Sequence, residues 1–127
     1  MAVSSLGYVI VEATDIGAWR RFGVETLGLG EGPPGPDGSL RLRVDERPFR
    51  IGVVPGKANR FVAAGWEFRD PAALDATLAS LRGAGVEVRA GSKADAEARC
   101  VKQLFHAVDP AGNRLELFVG RTYDYAP

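Results

Sequence analysis

The chain has 127 residues, enough for one hydrophobic core of ordinary size. Its composition, 46% hydrophobic and 25% charged, excludes a disordered, fibrous or disulfide-dense protein. Sixteen basic and sixteen acidic side chains give zero formal charge, so we expect neither nucleic acid nor a membrane as partner. A single cysteine, Cys100, excludes an internal disulfide and predicts a cytoplasmic location, in line with the absence of a signal-peptide or membrane-spanning pattern.

The first half of the chain predicts a strand followed by a helix. Residues 8–13 form a run rich in Val and Ile, which is typical of a strand. Asp15 is placed to cap a helix, and the two glycines Gly28 and Gly30 predict its end. The apolar residues of this helix recur at spacings of three to five: Ile16, Trp19, Phe22 and Leu27. The proline- and glycine-rich segment 31–38 predicts an exposed loop.

The same pattern returns 55 residues later. Residues 63–68 predict a strand, and Asp70 with Pro71 predicts the start of a second helix. The pairs that superpose at this offset are Asp15 with Asp70, Trp19 with Leu74, Glu12 with Glu67, Gly28 with Gly83, and Gly30 with Gly85. Further strand-like runs are 40–44, 50–54, 86–89, 101–108 and 114–119. We therefore predict two repeated units, about 5–56 and 60–120, with 121–127 as a tail or connector.

Two local motifs complete the assignment of elements. Ser92 with Asp95 three residues later predicts a short helix over 92–98, because each side chain can bind the other's backbone amide. The segment 109–112, Asp-Pro-Ala-Gly, predicts a tight turn that joins two strands of a hairpin.

Tandem units of strand, helix and three strands resemble the vicinal oxygen chelate superfamily, which includes glyoxalases, bleomycin-resistance proteins and extradiol dioxygenases. The more specific evidence is a set of short segments in a fixed order: Leu6-Gly7-Tyr8, Glu12 to Asp15, Ala18 to Arg20, Val53 to Gly56, Ala64 to Glu67, Asp109 to Asn113 and Leu115-Glu116. Together they resemble the amino-terminal domain of type I extradiol dioxygenases such as 2,3-dihydroxybiphenyl 1,2-dioxygenase. The resemblance implies an α+β fold in which two βαβββ units form a curved mixed sheet around a funnel.

The resemblance also implies a division of labour. In the family, Fe(II) binds both catechol oxygens and dioxygen in the second of two similar domains, and the first domain is generally not catalytic. We therefore expect a non-catalytic amino-terminal-type domain of a ring-cleavage dioxygenase of aromatic degradation, with its iron in a second domain beyond Pro127. The implied partners are that domain or another copy of this chain, and a small aromatic ligand.

A metal site within the chain is not expected. The family's ligand positions fall on Tyr8, Gly52, Ala63 and Glu116, of which only Glu116 is an ordinary metal ligand. An oxygen-activating iron requires two imidazoles and a carboxylate, whereas the chain has one histidine. We therefore predict no metal ligand and no catalytic residue here.

Tyr8, His106 and Glu116 are the expected lining of the funnel. One hypothesis is that His106 and Glu116 bind a small polar ligand or transfer a proton across the predicted hairpin. The alternative is a partly buried His106 whose ring is satisfied by a carbonyl group or water. Glu12 and Glu67 face either the funnel or solvent, and Trp19 and Trp66 are expected in the core.

Two other functions stay open on the sequence alone. A stand-alone dimer that binds a small molecule, as bleomycin-resistance proteins do, fits a neutral chain that lacks a metal set. An enzyme that assembles a metal site across a dimer would need ligands beyond one glutamate per chain.

Overall fold

The computed structural model describes residues 3–120. Its strands are β1 Val3–Ala13, β2 Gly30–Glu31, β3 Leu40–Arg43, β4 Ile51–Pro55, β5 Arg60–Phe68, β6 Arg89–Ala90, β7 Gln103–Val108 and β8 Arg114–Val119. Its helices are α1 Ile16–Arg20, which continues as a π-helical segment Arg21–Thr26, α2 Pro71–Gly83 and α3 Lys93–Arg99. These elements form two compact units, one of residues 8–62 and one of residues 63–120 with residues 3–7. No helix within residues 3–120 is long and apolar enough to cross a lipid bilayer.

The 8–62 unit is a mixed sheet with the order β2-β3-β4-β1. β1 pairs with β4 in parallel, whereas β3 pairs antiparallel with both β4 and β2. Its core consists of Ala13, Leu40, Leu42 and Val53, and the partly buried apolar side chains of the first helix, Ile16, Trp19 and Val24, pack against it. The helix thus covers one face of the sheet.

The second unit repeats this topology with the order β5-β8-β7-β6. β5 pairs with β8 in parallel, and β7 pairs antiparallel with β8 and β6. Its core consists of Phe68, Leu74, Leu78, Leu117 and Val119, with Trp66, Phe105 and Leu115 packed against it. In both units a strand and a helix precede three strands, and the last strand returns parallel to the first. The predicted α+β class and tandem βαβββ repeat are confirmed.

The caps and the turn lie where the sequence places them. The Asp15 carboxylate accepts from the Ala18 amide at 3.0 Å, and that of Asp70 accepts from the Ala73 amide at 2.8 Å. The Asp109 carboxylate accepts from the amides of Ala111 and Asn113, which closes the turn between β7 and β8. Both helices and the hairpin therefore begin or turn at a short acidic side chain that binds orphan amides.

The ends of several elements differ from the prediction, and β5 begins at Arg60 rather than at Ala63. β1 begins at Val3 rather than at Tyr8, because polar residues extend the strand and Ser4 Oγ donates to the Glu67 carbonyl. The predicted strand over 86–89 is only the two residues of β6. Gly30 lies in β2 instead of ending the helix. The predicted tail over 121–127 lies outside the described residues.

Candidate functional site

Glu116 carries a fully buried carboxylate, with 0% of its surface exposed. Arg99, the last residue of α3, binds it with two parallel hydrogen bonds, from Nε to Oε1 at 2.8 Å and from Nη2 to Oε2 at 3.1 Å. A second arginine is close by, since Nη2 of Arg114 lies 3.9 Å from Oε2 of Glu116. Such a bidentate pair satisfies both carboxylate oxygens and neutralises the buried charge.

The alternation of β8 places this ion pair opposite the hydrophobic core. Leu115, Leu117 and Val119 pack towards α2, so Glu116 points to the other face of the sheet. Because Arg99 reaches Glu116, the end of α3 lies over that other face. His106 is directly opposite Glu116 in the β7–β8 register and therefore shares its face.

His106 contacts α3 as well. Its Nε2 lies 3.6 Å from Oδ2 of Asp95, while its Nδ1 is buried and has no hydrogen-bond partner among the described residues. The pKa of Asp95 lies below its ordinary value, chiefly because the Ser92 backbone amide binds the carboxylate, with further lowering by the Ser92 hydroxyl and by His106. Two side chains of α3, Asp95 and Arg99, thus meet two of the sheet, His106 and Glu116.

A cleft of about 570 Å³ opens beside this contact, within the size range of small-molecule sites. His106 lines it together with two arginines, Arg89 and Arg114, and two acidic residues, Glu87 and Asp109. The rest of the lining is apolar: Val86, Ala107, Val108 and Pro110. Glu116 does not line the cleft, in keeping with its complete burial. A second cleft, of about 370 Å³, lies between α3 and the start of β7.

The other three ligand positions are filled by core packing. A Cβ atom at Gly52 would lie 2.8 Å from Cδ1 of Ile10 and 3.2 Å from Cε2 of Phe49, so a side chain there requires these buried neighbours to shift. Tyr8 is 4% exposed, and its ring lies 5.2 Å from the Phe49 ring, centroid to centroid. Ala63 is completely buried and offers only a methyl group. A funnel lined jointly by Tyr8, His106 and Glu116 stays a prediction.

Iron does not fit these residues. No group of three or more His, Cys, Asp or Glu side chains within residues 3–120 is arranged to hold a metal ion. Two of the four positions carry apolar or aromatic packing, the third is a glycine that offers no ligand atom, and the fourth is paired with Arg99. The chemistry available here is therefore that of a buried ion pair and not of a metal centre.

The paired glutamates have separate local roles. Glu12 accepts from the Ala58 amide at 3.1 Å and from Arg60 Nε at 2.8 Å, and the Ala58 hydrogen bond is the main reason why its pKa lies below the ordinary value. Glu67 accepts from Ser5 Oγ at 3.1 Å. Each carboxylate binds groups of its own unit, Glu12 a backbone amide and an arginine and Glu67 a serine hydroxyl, so these contacts do not make them an acid–base pair.

Sequence reasoning missed Arg99. The residue follows the predicted 92–98 helix, and a basic residue in a last helical turn is ordinarily a solvated side chain that favours the helix dipole. Its contact with Glu116 spans 17 residues and depends on how α3 lies on the sheet. No local pattern encodes that placement.

The chain is similar in sequence to known extradiol dioxygenases. Residues 6–56 match the family model described as "Dihydroxybiphenyl dioxygenase BphC D1". An iron-dependent extradiol dioxygenase of Rhodococcus jostii is 37% identical over 98% of this chain and 42% of its own length. The resemblance to extradiol dioxygenases is confirmed. The biphenyl-2,3-diol 1,2-dioxygenase of Sphingomonas paucimobilis is 34% identical over the same shares of the two chains.

Solved structures agree with the extradiol dioxygenase resemblance. A crystal structure of a catechol 2,3-dioxygenase superposes with a TM-score of 0.92 at 30% identity, covering 98% of this chain and 42% of that one. The structure of BphC, a halotolerant catechol dioxygenase, gives a TM-score of 0.90 at 29% identity. The chain therefore spans about two fifths of the length of these relatives.

Proposed function

We propose that this chain is a non-catalytic, amino-terminal-type domain of an extradiol dioxygenase that opens catechol or biphenyl-2,3-diol rings in aromatic degradation. Its similarity to such enzymes covers nearly the whole chain but only 42% of the Rhodococcus relative. The family model that it matches is that of a first domain, D1. Ring cleavage and the Fe(II) it requires belong to the remainder of the protein.

The observation that carries this proposal is the bidentate Arg99–Glu116 ion pair. The only ordinary metal ligand at the family's positions is fully buried and already has both oxygens bound by a guanidinium group. An iron ion would need the same oxygens, and the chain supplies one imidazole where two are required. The domain therefore shapes and supports an active site that other residues complete.

The partners of this domain follow from the same proposal. A catalytic domain, attached to this chain or contributed by another molecule, supplies the iron ligands, and further copies of the chain assemble with it. The catechol substrate is the small aromatic ligand. The protein acts in the cytoplasm, which the single cysteine supports because no disulfide can form within the chain.

Metal analysis and turnover of the purified chain test the proposal. We expect iron far below one ion per chain after reconstitution with Fe(II), and no ring-fission absorbance from 2,3-dihydroxybiphenyl. The full-length Rhodococcus relative, treated in the same way, is the positive control. Stoichiometric iron together with catechol turnover by the isolated chain would contradict the proposal.

The cleft beside His106 favours a second candidate, a small-molecule-binding protein of the bleomycin-resistance type. Its volume and its mixture of basic, acidic, imidazole and apolar side chains suit a small aromatic ligand with a polar substituent. Calorimetric titration with 2,3-dihydroxybiphenyl distinguishes this role, since it requires binding that is lost in His106→Ala but needs no iron. Unchanged affinity in His106→Ala, or no binding at all, removes this candidate.

A further inference from the structure

We infer that the cleft beside His106 binds a small aromatic carboxylate, and that the guanidinium groups of Arg89 and Arg114 hold its negative charge. The inference concerns this cleft alone and does not depend on ring cleavage. It goes beyond both candidate functions, since neither of them requires a charged ligand.

The two arginines project from the same face of the sheet. Arg89 of β6 lies directly opposite His106 of β7, and Arg114 of β8 lies directly opposite Val108. Opposite residues of an antiparallel pair point to one face of a sheet, and so do alternate residues of one strand. The arginine side chains therefore flank His106 from its two neighbouring strands, on the face turned away from α2, and line one cleft together.

Both arginines have hydrogen-bond donors available for a ligand. Arg89 forms no ion pair within residues 3–120. The carboxylate nearest to Arg114 is that of Glu116, at 3.9 Å, which Arg99 already binds through both oxygens. A guanidinium group presents its N–H donors in a planar fork that matches the two oxygens of a carboxylate. Two such groups in one cleft therefore favour a carboxylate ligand.

The two acidic residues of the cleft leave these arginines without a counter-charge. Neither Glu87 nor Asp109 forms an ion pair with them in the part of the chain that the structure describes. The Asp109 carboxylate is bound by backbone amides of its own turn. Glu87 is exposed and is the charge of the cleft that opposes an anion, so its removal should strengthen anion binding.

The rest of the lining suits the ring of an aromatic ligand. It consists of four apolar residues, Val86, Ala107, Val108 and Pro110. Val108 is 54% exposed, so a ring placed against it removes apolar surface from water. The volume of about 570 Å³ is ample for a single ring with one carboxylate. Benzoate is therefore the simplest probe of the cleft.

Nuclear magnetic resonance titration of the untagged chain at constant pH gives the readout. His106 is the only histidine of the 127 residues, so its imidazole resonances report directly on the cleft. We expect benzoate to shift these resonances saturably. Benzamide, which has the same shape without the charge, should bind at least about tenfold more weakly, because charge-assisted hydrogen bonds are lost. Inorganic phosphate, which has charge but no ring, should also bind more weakly than benzoate.

Variants of the charged residues should change the affinity in opposite directions. Arg89→Gln with Arg114→Gln should weaken benzoate binding by about tenfold or more, and Arg89→Gln alone should weaken it less. Glu87→Gln should strengthen binding by about twofold to threefold. Arg82→Gln, a matched change of an exposed arginine on α2, should leave the affinity unchanged. Arg89→Gln keeps the test decisive if the double variant does not fold.

The possible results separate this inference from the candidate functions. It is overturned if the His106 resonances do not respond to benzoate, if benzamide or phosphate binds as tightly as benzoate, or if the variants do not change the affinity in these directions. Tight binding of benzamide would leave a cleft for neutral ligands and so retain the second candidate function. The titration measures neither iron nor turnover, so its outcome is independent of the proposed dioxygenase role.

Discussion

Gly7 occupies a position in β1 where only a hydrogen atom fits. A Cβ atom there would lie 2.7 Å from Cε1 of the Phe118 ring, which is 1% exposed and cannot swing into solvent. We expect Gly7→Ala to lower the free energy of unfolding by about 1–3 kcal/mol, because the ring or the strand must shift to admit the methyl group. Urea unfolding followed by circular dichroism measures the change.

Gly83 provides the matched control for Gly7. It is the last residue of α2, and a Cβ atom there would meet nothing within 4 Å. Gly83→Ala should therefore leave stability unchanged or raise it by about 0.5–1 kcal/mol, since alanine restricts the unfolded chain and favours the helix. Equal unfolding midpoints for the two variants would show that the Gly7 space is not closed.

At the scale of single residues, the sequence predicts which ligand types are present but not what surrounds them. One histidine and one suitable glutamate are countable facts, and they are sufficient to argue against an iron site. The sequence does not show which side chains surround each ligand position. Ile10 and Phe49 close the space at Gly52, and Arg99 neutralises Glu116, through contacts between segments that no local spacing connects.

Among the elements, α3 depends most on its first residues. Ser92 Oγ accepts from the Asp95 amide at 3.0 Å, and the Asp95 carboxylate accepts from the Ser92 amide at 3.0 Å. Ser92→Ala removes one bond of this reciprocal cap in a helix of seven residues, so we expect a loss of about 1 kcal/mol in the free energy of unfolding. Chemical denaturation tests this value.

Ser80→Ala controls for the loss of a hydroxyl group. Ser80 lies on the exposed side of α2, away from its first turn, where alanine is the better helix former. This variant should be as stable as the wild type or slightly more so. If Ser92→Ala behaves in the same way, the capping box does not hold α3.

The helix caps Asp15 and Asp70 were predictable and lie 55 residues apart, but the ends of the two helices do not keep this offset. The left-handed glycines that follow the helices are Gly28 and Gly85, with φ of 77° and 82°, which lie 57 and not 55 residues apart. The first helix ends at Thr26 in a π-helical segment, whereas α2 is a regular helix of 13 residues. The five-residue step from Phe22 to Leu27 is the sequence trace of that segment, since the Leu27 amide donates to the Phe22 carbonyl.

For the molecule as a whole, stability should depend on pH in the acid range. The pKa values of Glu12 and Asp45 in one unit, and of Asp95 and Asp109 in the other, lie below their ordinary values because amides or arginines bind the carboxylates. A depressed folded pKa stabilises above the unfolded value and ceases to do so as pH falls through the folded one. Urea midpoints should therefore be nearly constant above about pH 5 and fall steadily below about pH 4.

Glu12→Gln tests the origin of that acid response. The amide keeps one acceptor for the Ala58 backbone but loses the charge that Arg60 binds, so the decline in midpoint below pH 4 should become shallower than in the wild type. Glu25→Gln, an exposed carboxylate in the π-helical segment, is the control and should leave the slope unchanged. Identical slopes for all three proteins would assign the acid response to other groups.

For the whole molecule, the sequence predicts the order of the helices and strands well and their shortest strands poorly. The succession of strand, helix and strands was predictable because apolar runs, acidic caps and glycines act locally. The two-residue strand β2 was not predicted, and β6 was predicted as a longer strand over 86–89, since pairing with a neighbour defines both strands rather than their own composition.

The filled space at Gly52 also bears on protein engineering. Grafting histidines onto Tyr8 and Ala63 would supply the imidazoles that this polypeptide lacks, yet it would not by itself create a working centre. Smaller side chains at Ile10 and Phe49 would first be needed to make space at Gly52, and the ion pair between Arg99 and Glu116 would have to be removed. Introducing an iron site into this fold therefore requires new space in the core before the choice of ligands matters.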